Sequence, residues 1–444
     1  MGIGTRRQLD ALAKVGLASE GYYGLVKEFD DLKGSITEAS RVGMVLNVLA
    51  MFGNLMGRRA FLRIGPTQQY GTMFIVTVGR SAMSRKGHAT AEVSQVFDLV
   101  DPDRPIGGSL ATGQGIIYRL RDANNEKDPP DPGATEKRLL CIEEEFGGLL
   151  TRCSQGGSIL SHTVRKAWDG GKLSNMTMVN PLTATGHSVS IIGHIVQEEL
   201  LAKLSHIDQA DGFANRFNFG WVTRAGVFAV PPQPSHAKLQ SLVGHIRGAL
   251  DWIKALPQKE NEFTFDAPAQ IEYEMAYTRL TRERSSLIGM LTARRATQVC
   301  RMALIYAAMD RSQFIRLEHL HAAMAVWNYV ERSTELIFDD KTGNPLADVI
   351  RGWLRKAGAT GMTRTEILRQ NGNRSEGLND ALDLLETEEI AYREKQESKS
   401  GPKAERWFIH GDPFVAQEPD KKPILTSTGI LTPKSATSAT SGKP

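Results

Sequence analysis

The chain has 444 residues, of which 41% are hydrophobic and 23% charged. This composition is that of a globular protein with room for two or three domains. The three widely spaced cysteines exclude a disulfide framework, and the ten scattered histidines give no zinc-ligand spacing. No run of eighteen apolar residues is present, so we expect a soluble, cytoplasmic protein without a membrane partner. A net charge of +4 permits nucleic-acid binding without requiring it.

The N-terminal half alternates between helical and strand-like patterns. Residues 1–21 are expected to form a short polar lead-in. Residues 39–56 are apolar nearly all round a helix, which predicts a helix buried inside a domain. Runs with the length and residue types of strands buried on both faces follow, at 73–78, 139–142, 189–192 and 217–222. Their alternation with helical segments predicts an α/β domain over 22–229, with a parallel sheet covered by helices.

Beyond this domain the pattern changes at the proline-rich stretch 230–235. Apolar residues at helical spacing then predict a helical lid over 236–340. Residues 345–410 carry three helical patterns followed by two strand-like ones, which is the element order of a winged-helix domain. The last segment, 411–444, is rich in Pro, Ser, Thr and Lys and is expected to be a disordered tail.

A polar, glycine-containing turn follows the first of these strands, at the position of a phosphate-binding loop. It departs from the motif G-x-x-x-x-G-K-[ST], because arginine replaces the glycine before Lys86. It still offers a tight turn, a helix N-terminus, and Lys86 with Arg85 as counter-charges for a triphosphate. ATP contacts are expected from Gly79, Ser84, Arg85, Lys86, Gly87 and Thr90, with the hydroxyl of Thr90, or of Ser84, bound to Mg²⁺. The alternative is an ordinary strand-to-helix turn with solvated basic residues.

The strand at 139–142 ends in three carboxylates, Glu143, Glu144 and Glu145. In a phosphoryl-transfer site one carboxylate holds the hydrated Mg²⁺, expected here of Glu143, and another orients or deprotonates the attacking water. The alternative is that the triplet caps the following helix, since carboxylates stabilise helix N-termini.

Further short motifs accompany the loop and the acidic strand. They are Tyr23-Gly24, Arg85-Lys86-Gly87, Glu143 to Phe146, Ala167 to Gly171, Gly186-His187, Ile191 to His194, Gly212 to Phe217, and Arg294 to Asp310. Together they resemble the ATPase family found in phage and plasmid primase-helicase proteins, whose modified phosphate loop ends in R-K-G. The resemblance runs from about residue 22 to residue 410.

The resemblance implies roles for three polar residues outside the loop. His194, just past a buried strand, would sense the γ-phosphate; alternatively it is a hydrogen-bonded core histidine. Arg216 would be the arginine finger that neutralises charge on the transferred phosphoryl group, or else a salt-bridge partner at a strand start. Arg294 would be a second sensor arginine, or a solvated side chain on the lid.

Related ring helicases carry a DNA-tracking loop between the acidic strand and the strand that leads to His194. The basic segment 165–175 lies there, so Arg165, Lys166 and Lys172 are expected to contact phosphates. Trp168 would stack on a base or, the better interpretation, pack in the core. The third helix of the winged-helix segment is acidic, so the wing, with Lys399 and Lys403, is the expected DNA contact of that domain; protein docking is the alternative.

These observations predict a P-loop NTPase fold of the AAA+/RecA-like class, α/β with a helical lid and a C-terminal winged helix. The expected function is an ATP- and Mg²⁺-dependent helicase for a phage, plasmid or other mobile element. It would act on single-stranded or forked DNA as a homo-oligomeric, hexameric ring with Arg216 in trans to Lys86, and a separate primase would be a further partner. Because Gln114 and His88-Ala89 depart from the family pattern, an initiator that binds ATP without acting as a motor is one alternative. A replication-control scaffold with a decayed pocket is another.

Overall fold

A computed structural model describes most of the chain. The residues that it describes are 11–14, 16–80, 83–175, 181–204, 212–257, 261–282, 287–338, 342, 344–388, 390–395 and 405–410. The predicted tail, 411–444, lies outside the described residues, as do Lys399 and Lys403.

A five-stranded sheet forms the centre of the N-terminal part. Its strands are β3 (Phe74–Gly79), β4 (Ile106–Gly107), β5 (Arg138–Glu143), β8 (Ser188–Val196) and β9 (Phe217–Trp221). Their order across the sheet is β4-β5-β8-β3-β9, and every neighbouring pair is parallel. Every residue of β3 and β9 is buried, which explains why their sequences are continuously apolar rather than alternating. The predicted α/β class with a parallel sheet is confirmed.

The strand order places β8 between β3 and β5. Thr77 of β3 stands opposite His194 of β8, and Ile142 of β5 stands opposite Ile192. Because all the strands are parallel, the loops that follow β3, β5 and β8 leave from the same edge of the sheet. This carboxyl edge is where open parallel sheets bind their ligands.

Helices cover both faces of this sheet. They are α1 (Gly24–Lys33), α2 (Arg41–Met56), α3 (Lys86–Val100), α4 (Gly113–Arg119), α5 (Phe146–Cys153), α6 (Leu160–Asp169) and α7 (Gln197–Lys203). In α2 every residue from Val42 to Met56 is buried, in agreement with its all-round apolar sequence. Alternate residues of β5 face the two layers: Leu140 packs in the core with α2 and α3, whereas Leu139 and Cys141 pack with α5 and α6.

Two hairpins interrupt the alternation of strands and helices. The first consists of β1 (Phe61–Ile64) and β2 (Thr67–Tyr70). The second consists of β6 (Leu173–Asn175) and β7 (Leu182–Ala184), an antiparallel pair between α6 and β8. The segment 165–175, for which a DNA-tracking loop was predicted, comprises the end of α6, a three-residue connection and β6.

The region predicted as a helical lid is mainly helical, but it shares its core with the first region. Its elements are α8 (His236–Ala255), β10 (Glu262–Phe265), α9 (Ala267–Thr281), α10 (Leu287–Leu291), α11 (Arg295–Met309), β11 (Phe314–Ile315) and α12 (Leu317–Phe338). Strand β10 pairs with β1, so a second sheet of order β11-β10-β1-β2 joins the two regions. Apolar residues of α8, α11 and α12 belong to the same buried cluster as those of α2 and α3.

The C-terminal region has a separate small core. It contains α13 (Pro345–Ala357), β12 (Met362–Thr363), α14 (Arg364–Gln370), α15 (Leu378–Thr387), β13 (Ala391–Lys395) and β14 (Glu405–Ile409). The three strands form an antiparallel sheet of order β12-β14-β13. Leu354, Leu382 and Trp407 are among the side chains buried between the helices and the sheet. Across the described residues, no helix is long and apolar enough to cross a membrane.

Candidate functional site

A cavity of about 590 Å³ lies at the carboxyl edge of the parallel sheet. Its walls come from the loop after β3, the first turns of α3, the end of β5, and β8. The lining residues are Ser84, Arg85, Lys86, Gly87, His88, Thr90, Ala91, Ser94, Ile142, Glu144 and His194. The structure therefore brings the predicted phosphate loop, one of the three predicted carboxylates and the predicted sensor histidine to one site.

The loop after β3, predicted to bind phosphate, has the backbone of a glycine motif at a position occupied by arginine. Arg85 has φ 49°, a left-handed conformation, at the residue where the standard motif places glycine before lysine. A non-glycine residue in this region costs on the order of 1–3 kcal/mol, so the surrounding structure must hold it there. Gly79 is required for another reason: a Cβ there would lie 2.6 Å from the Val222 carbonyl oxygen and 2.7 Å from the Ser84 Cβ.

Glu38 is the anchor that holds Arg85. Its buried carboxylate pairs with Arg85 at 3.2 Å and with Arg224, and it accepts a hydrogen bond from the Phe228 backbone N–H at 2.9 Å. The Phe228 N–H and the Arg224 guanidinium lower the pKa of Glu38. Sequence reasoning missed this residue, because it precedes the loop by more than forty positions and belongs to no motif.

Lys86 is folded back into its own loop. Its ammonium donates to the Arg80 carbonyl at 3.2 Å, to the Ser84 hydroxyl at 3.1 Å, and to the Gly79 carbonyl at 3.5 Å. Ser84 in turn donates to the Arg80 carbonyl at 2.6 Å. Burial lowers the pKa of Lys86, and the negative charge of Glu198 opposes the shift. A cation is thereby held half-buried at the mouth of the cavity by neutral carbonyl and hydroxyl groups.

The three carboxylates at the end of β5 face different directions. Glu143 is 1% exposed and turns away from the cavity. Its oxygens accept from the Ser109 hydroxyl at 2.8 Å, from Arg152 at 3.0 Å and from the Leu110 backbone N–H. Glu144 is exposed and lines the cavity from the turn that follows β5. Glu145 is exposed and precedes α5 without capping it through its side chain.

His194 lies inside a chain of polar side chains beneath α3. Its Nδ1 is 2.7 Å from the Thr77 hydroxyl and its Nε2 is 3.1 Å from the Thr90 hydroxyl, which donates to the Asn47 Oδ1 at 2.9 Å. Because Thr90 has a single hydrogen and gives it to Asn47, its oxygen must accept from Nε2–H. This assigns the Nε2–H tautomer, with Nδ1 accepting from Thr77. Burial, followed by the charge of Lys86, lowers the pKa of His194 to about 4, so the ring is neutral at physiological pH.

The two residues predicted to bind Mg²⁺ are both engaged by protein groups. Thr90 is 5% exposed and belongs to the histidine chain, and both oxygens of Glu143 have protein partners. Gly87, which follows Lys86, has no side chain to offer. Among the described lining residues, the Glu144 carboxylate is an exposed oxygen donor of the kind that Mg²⁺ prefers, and Ser94 adds a hydroxyl. The Ser84 hydroxyl is buried and, like Thr90, already engaged, by the Arg80 carbonyl and Lys86.

Arg216 and Arg294 lie together at the opposite edge of the sheet. Arg216 directly precedes β9, whose first residue pairs with the first residue of β3. Its guanidinium donates to Asp169 at 2.7 Å and to the Gly212 carbonyl. Arg294 is 3.6 Å from the other oxygen of Asp169 and donates to Asn215 at 3.0 Å. Since β3 is six residues long, Arg216 stands roughly 16 Å from the phosphate loop of its own chain.

The residues predicted to contact nucleic acid lie at α6 and at the start of the second hairpin. Arg165 is half-buried, whereas Lys166 and Lys172 are exposed, and Lys172 directly precedes β6. Trp168 is 2% exposed and therefore packs in the core, as the preferred interpretation predicted.

Comparison of the chain with protein-family models gave no match, and comparison with curated proteins gave none. Among solved structures, the chain is similar to a full-length MCM homolog from Methanopyrus kandleri, at 14% identity and a TM-score of 0.39. The similarity covers 75% of this chain and 62% of that chain. The chain thus spans less than two thirds of this neighbour.

Proposed function

We propose that the chain is an ATP-hydrolysing DNA motor of the AAA+/RecA-like class of P-loop NTPases, acting in the replication of a phage, plasmid or other mobile element. The observation that carries the proposal is the cavity at the carboxyl edge, which has Lys86 on one wall and Glu144 on another. A cation from a strand-to-helix loop facing a carboxylate from the second strand along is the arrangement that phosphoryl transfer from a nucleotide requires.

The cavity suits a magnesium-bound triphosphate in size and chemistry. Its volume of about 590 Å³ lies within the range of small-molecule sites. The N-terminus of α3, a helix of fifteen residues, opens at the cavity beside Lys86. Helix N-termini bind anions through backbone N–H groups and the helix dipole. On binding, Lys86 exchanges the carbonyls of its own loop for phosphate oxygens, and Gly79, Ser84, Arg85 and Gly87 form the rest of the cradle.

Glu144 is assigned the role of orienting and deprotonating the attacking water. It is the one member of the acidic triplet that lines the cavity, and it is exposed. Mg²⁺ would neutralise charge that develops on the phosphates and would be bound through Glu144. The Ser84 hydroxyl could join it only after its hydrogen bonds with the Arg80 carbonyl and Lys86 are broken. Glu143 and Glu145 are assigned no contact with the nucleotide; Glu143 instead fixes the strand end through Ser109, Leu110 and Arg152. His194 positions α3 through Thr90 rather than touching phosphate.

Arg216 and Arg294 are assigned to the nucleotide of a neighbouring subunit. They lie at the edge of the sheet opposite Lys86, so a contact within one chain is out of reach. A head-to-tail ring places this edge of one subunit against the carboxyl edge of the next. Both guanidinium groups would then reach the γ-phosphate, where such arginines contribute a factor of roughly 10³ to 10⁵ in rate.

DNA contacts are assigned to the second hairpin and its approach. Lys166 and Lys172 are exposed there, with Arg165 on the same helix as Lys166. The substrate would be single-stranded or forked DNA, bound through its phosphates. The C-terminal region, with its three helices and antiparallel sheet, has the element order of a winged helix, and Lys399 and Lys403 of its wing are assigned to duplex or partner contacts. The family resemblance supports a mobile-element setting and a separate primase as partner.

The proposal is tested by ATP turnover with and without single-stranded DNA, and by strand displacement on forked DNA. We expect Lys86→Ala to abolish nucleotide binding and Glu144→Gln to abolish turnover while binding persists. Lys238→Ala, which removes an exposed lysine from α8, is the matched control and should behave as the wild type. Wild-type levels of turnover in Lys86→Ala would overturn the proposal.

A second function, an initiator that binds ATP without hydrolysing it, is favoured by one observation. Gly87 leaves the position after Lys86 without the hydroxyl that the standard motif gives to Mg²⁺, and Thr90 is engaged elsewhere. This function predicts tight nucleotide binding, nucleotide-dependent assembly and no turnover in the wild type. Calorimetry and turnover on the same preparation distinguish the two.

A further inference from the structure

The end of helix α6 connects the two arginines to the second hairpin. Trp168 and Asp169 are its last two residues, and only Gly170, Gly171 and Lys172 separate them from β6. The segment that contacts Arg216 and Arg294 is therefore continuous with the segment assigned to DNA.

The indole ring of Trp168 lies close to the guanidinium groups of three arginines. The guanidinium carbon of Arg301 lies 3.6 Å from the centre of its ring, that of Arg294 lies 5.0 Å away and that of Arg216 lies 5.6 Å away. Arg301 also donates to the Trp168 carbonyl and to the Thr72 carbonyl, each at 3.1 Å. Burial lowers the pKa of Arg301 to about 9, and the negative charge of Asp169 opposes the shift. The cluster thus concentrates positive charge around one indole.

Asp169 is the carboxylate that Arg216 and Arg294 share. One of its oxygens accepts from Arg216 at 2.7 Å and the other lies 3.6 Å from Arg294. Its side chain is 41% exposed and that of Arg294 is 34% exposed, so an incoming anion can compete for Arg294 directly, whereas Arg216, at 7%, must first turn outward. A phosphate that binds these arginines must displace Asp169 from at least one of them.

The residues after Asp169 are held tightly to the rest of the domain. The Gly170 carbonyl accepts from Arg58 at 2.9 Å, and the Gly171 carbonyl accepts from the Nε2 of His187 at 2.8 Å. His187 directly precedes β8, and Leu173, the first residue of β6, is 1% exposed. The connection from Asp169 to β6 is therefore ordered, and a displacement of Asp169 reaches the base of the hairpin only if the hydrogen bonds with Arg58 and His187 shift with it.

We propose that Asp169 is a positioning residue that couples nucleotide in the neighbouring subunit to DNA at the hairpin. The inference rests on the proposed function, because it assigns Arg216 and Arg294 to a neighbour's phosphate. Without that phosphate, Asp169 holds both arginines and the hairpin stays in one position. With the phosphate bound, the arginines leave Asp169, and the end of α6 and Lys172 move together. Linkage requires the reverse effect to be equal: DNA at the hairpin raises nucleotide affinity by the same factor.

The test compares the DNA affinity of the full chain with and without nucleotide. The probe is a fluorescent oligo-dT, followed by anisotropy at fixed salt, with and without a non-hydrolysable ATP analogue and Mg²⁺. We expect the analogue to raise wild-type affinity by about fivefold or more. In Asp169→Asn the ratio of DNA affinities with and without the analogue should fall to within about twofold of unity. Asp169→Glu keeps the negative charge and should retain most of the wild-type ratio. Asp251→Asn, at an exposed pair with Lys254, is the matched control.

The outcomes separate this inference from the proposed function. Analogue binding by Lys86→Ala at wild-type affinity would overturn the proposed function. If Lys86→Ala loses the analogue but Asp169→Asn keeps the wild-type coupling factor, the proposed function stands and the role of Asp169 is overturned. A wild type that binds the analogue with no change in DNA affinity also overturns it. A merely structural role for Asp169 would lower the melting temperature of Asp169→Asn and leave the factor intact.

Discussion

Arg85 and His194 each stabilise the loop after β3 through contacts that a sequence motif does not describe. Arg85 adopts the backbone conformation of a glycine, and Glu38 holds it in place through an ion pair. His194 stays neutral and joins β3 to α3 through two threonine hydroxyls. The loop is therefore held by long-range partners, whereas glycine motifs rely mainly on local backbone freedom.

The left-handed conformation of Arg85 predicts an unusual order of stability for two variants. Arg85→Gly and Arg85→Ala both lose the ion pair with Glu38, but only alanine pays the steric cost of positive φ. Arg85→Gly should therefore be more stable than Arg85→Ala by about 1 kcal/mol in urea unfolding. Ala91→Gly in the right-handed helix α3 is the control, where glycine should cost about 1 kcal/mol relative to alanine. Equal stability of the two Arg85 variants would contradict the assigned conformation.

Burial of His194 predicts a loss of stability in weak acid. The pKa of His194 is about 4 in the folded chain, against 6.5 for an unperturbed histidine. The unfolded chain therefore binds the extra proton first, and the contribution to stability is complete above pH 6.5 and lost as pH falls towards 4. The loss from this residue is about 3 kcal/mol. Unfolding free energies measured across this range should fall less steeply for His194→Gln than for the wild type; parallel curves would be inconsistent with a neutral buried ring.

Among the secondary-structure elements, the sequence predicts the helices and strands that are marked by a pattern within their own residues. The helix over 39–56 and the strands at 73–78 and 139–142 follow from continuous apolar runs, and the structure places α2, β3 and β5 there. The short strands β1, β2, β10 and β11 were missed, because they have only two to four residues each and because the pairing of β1 with β10 joins segments about two hundred residues apart. For the same reason the sequence separated a helical lid from the first region, although α8, α11 and α12 share one core with α2 and α3.

The site shows the same limit. The sequence located the acidic strand end, but it did not show that Glu143 is the last residue of β5 and buried, whereas Glu144 and Glu145 lie in the exposed turn that follows. The roles of Asp169 and Arg301 were also invisible, because the partners of each are remote in sequence: Arg216 and Arg294 for Asp169, and Thr72 and Trp168 for Arg301. Residue type and order predicted which segments meet at the cavity. Tertiary packing determines which side chains of those segments line it.

The close packing of α2 predicts opposite effects for two identical substitutions. A Cβ at Gly53 would lie 2.0 Å from the Gly71 carbonyl oxygen and 2.9 Å from the Ile305 Cδ1. Gly53→Ala must therefore push α2 from its neighbours, at a cost of about 3 kcal/mol or more in unfolding free energy. Gly244→Ala on α8 meets no atom within 4 Å and should stabilise the chain by about 1 kcal/mol. Thermal or urea unfolding of both variants is the measurement. A loss of stability in both would contradict the prediction, which requires Gly244→Ala to be stabilised.

At the scale of the whole molecule, the parallel sheet separates two sets of charges. Lys86, Glu144 and the cavity lie at the carboxyl edge, whereas Arg216, Arg294 and Asp169 lie at the amino edge. Neither edge alone contains all the groups that stabilise a transferred phosphoryl group. In the proposed ring, a second copy supplies the edge that each subunit lacks.

This separation predicts that two inactive variants restore each other when mixed. Lys86→Ala keeps its arginines and Arg216→Ala keeps its cavity, so each variant alone should form rings without a complete site. In rings assembled from equal amounts of both, about a quarter of the interfaces join an intact cavity to an intact arginine edge. Turnover of the mixture should therefore reach about a quarter of the wild-type value if the sites act independently. Turnover that stays at the level of the separate variants, in preparations shown to exchange subunits, would place Arg216 outside the nucleotide site.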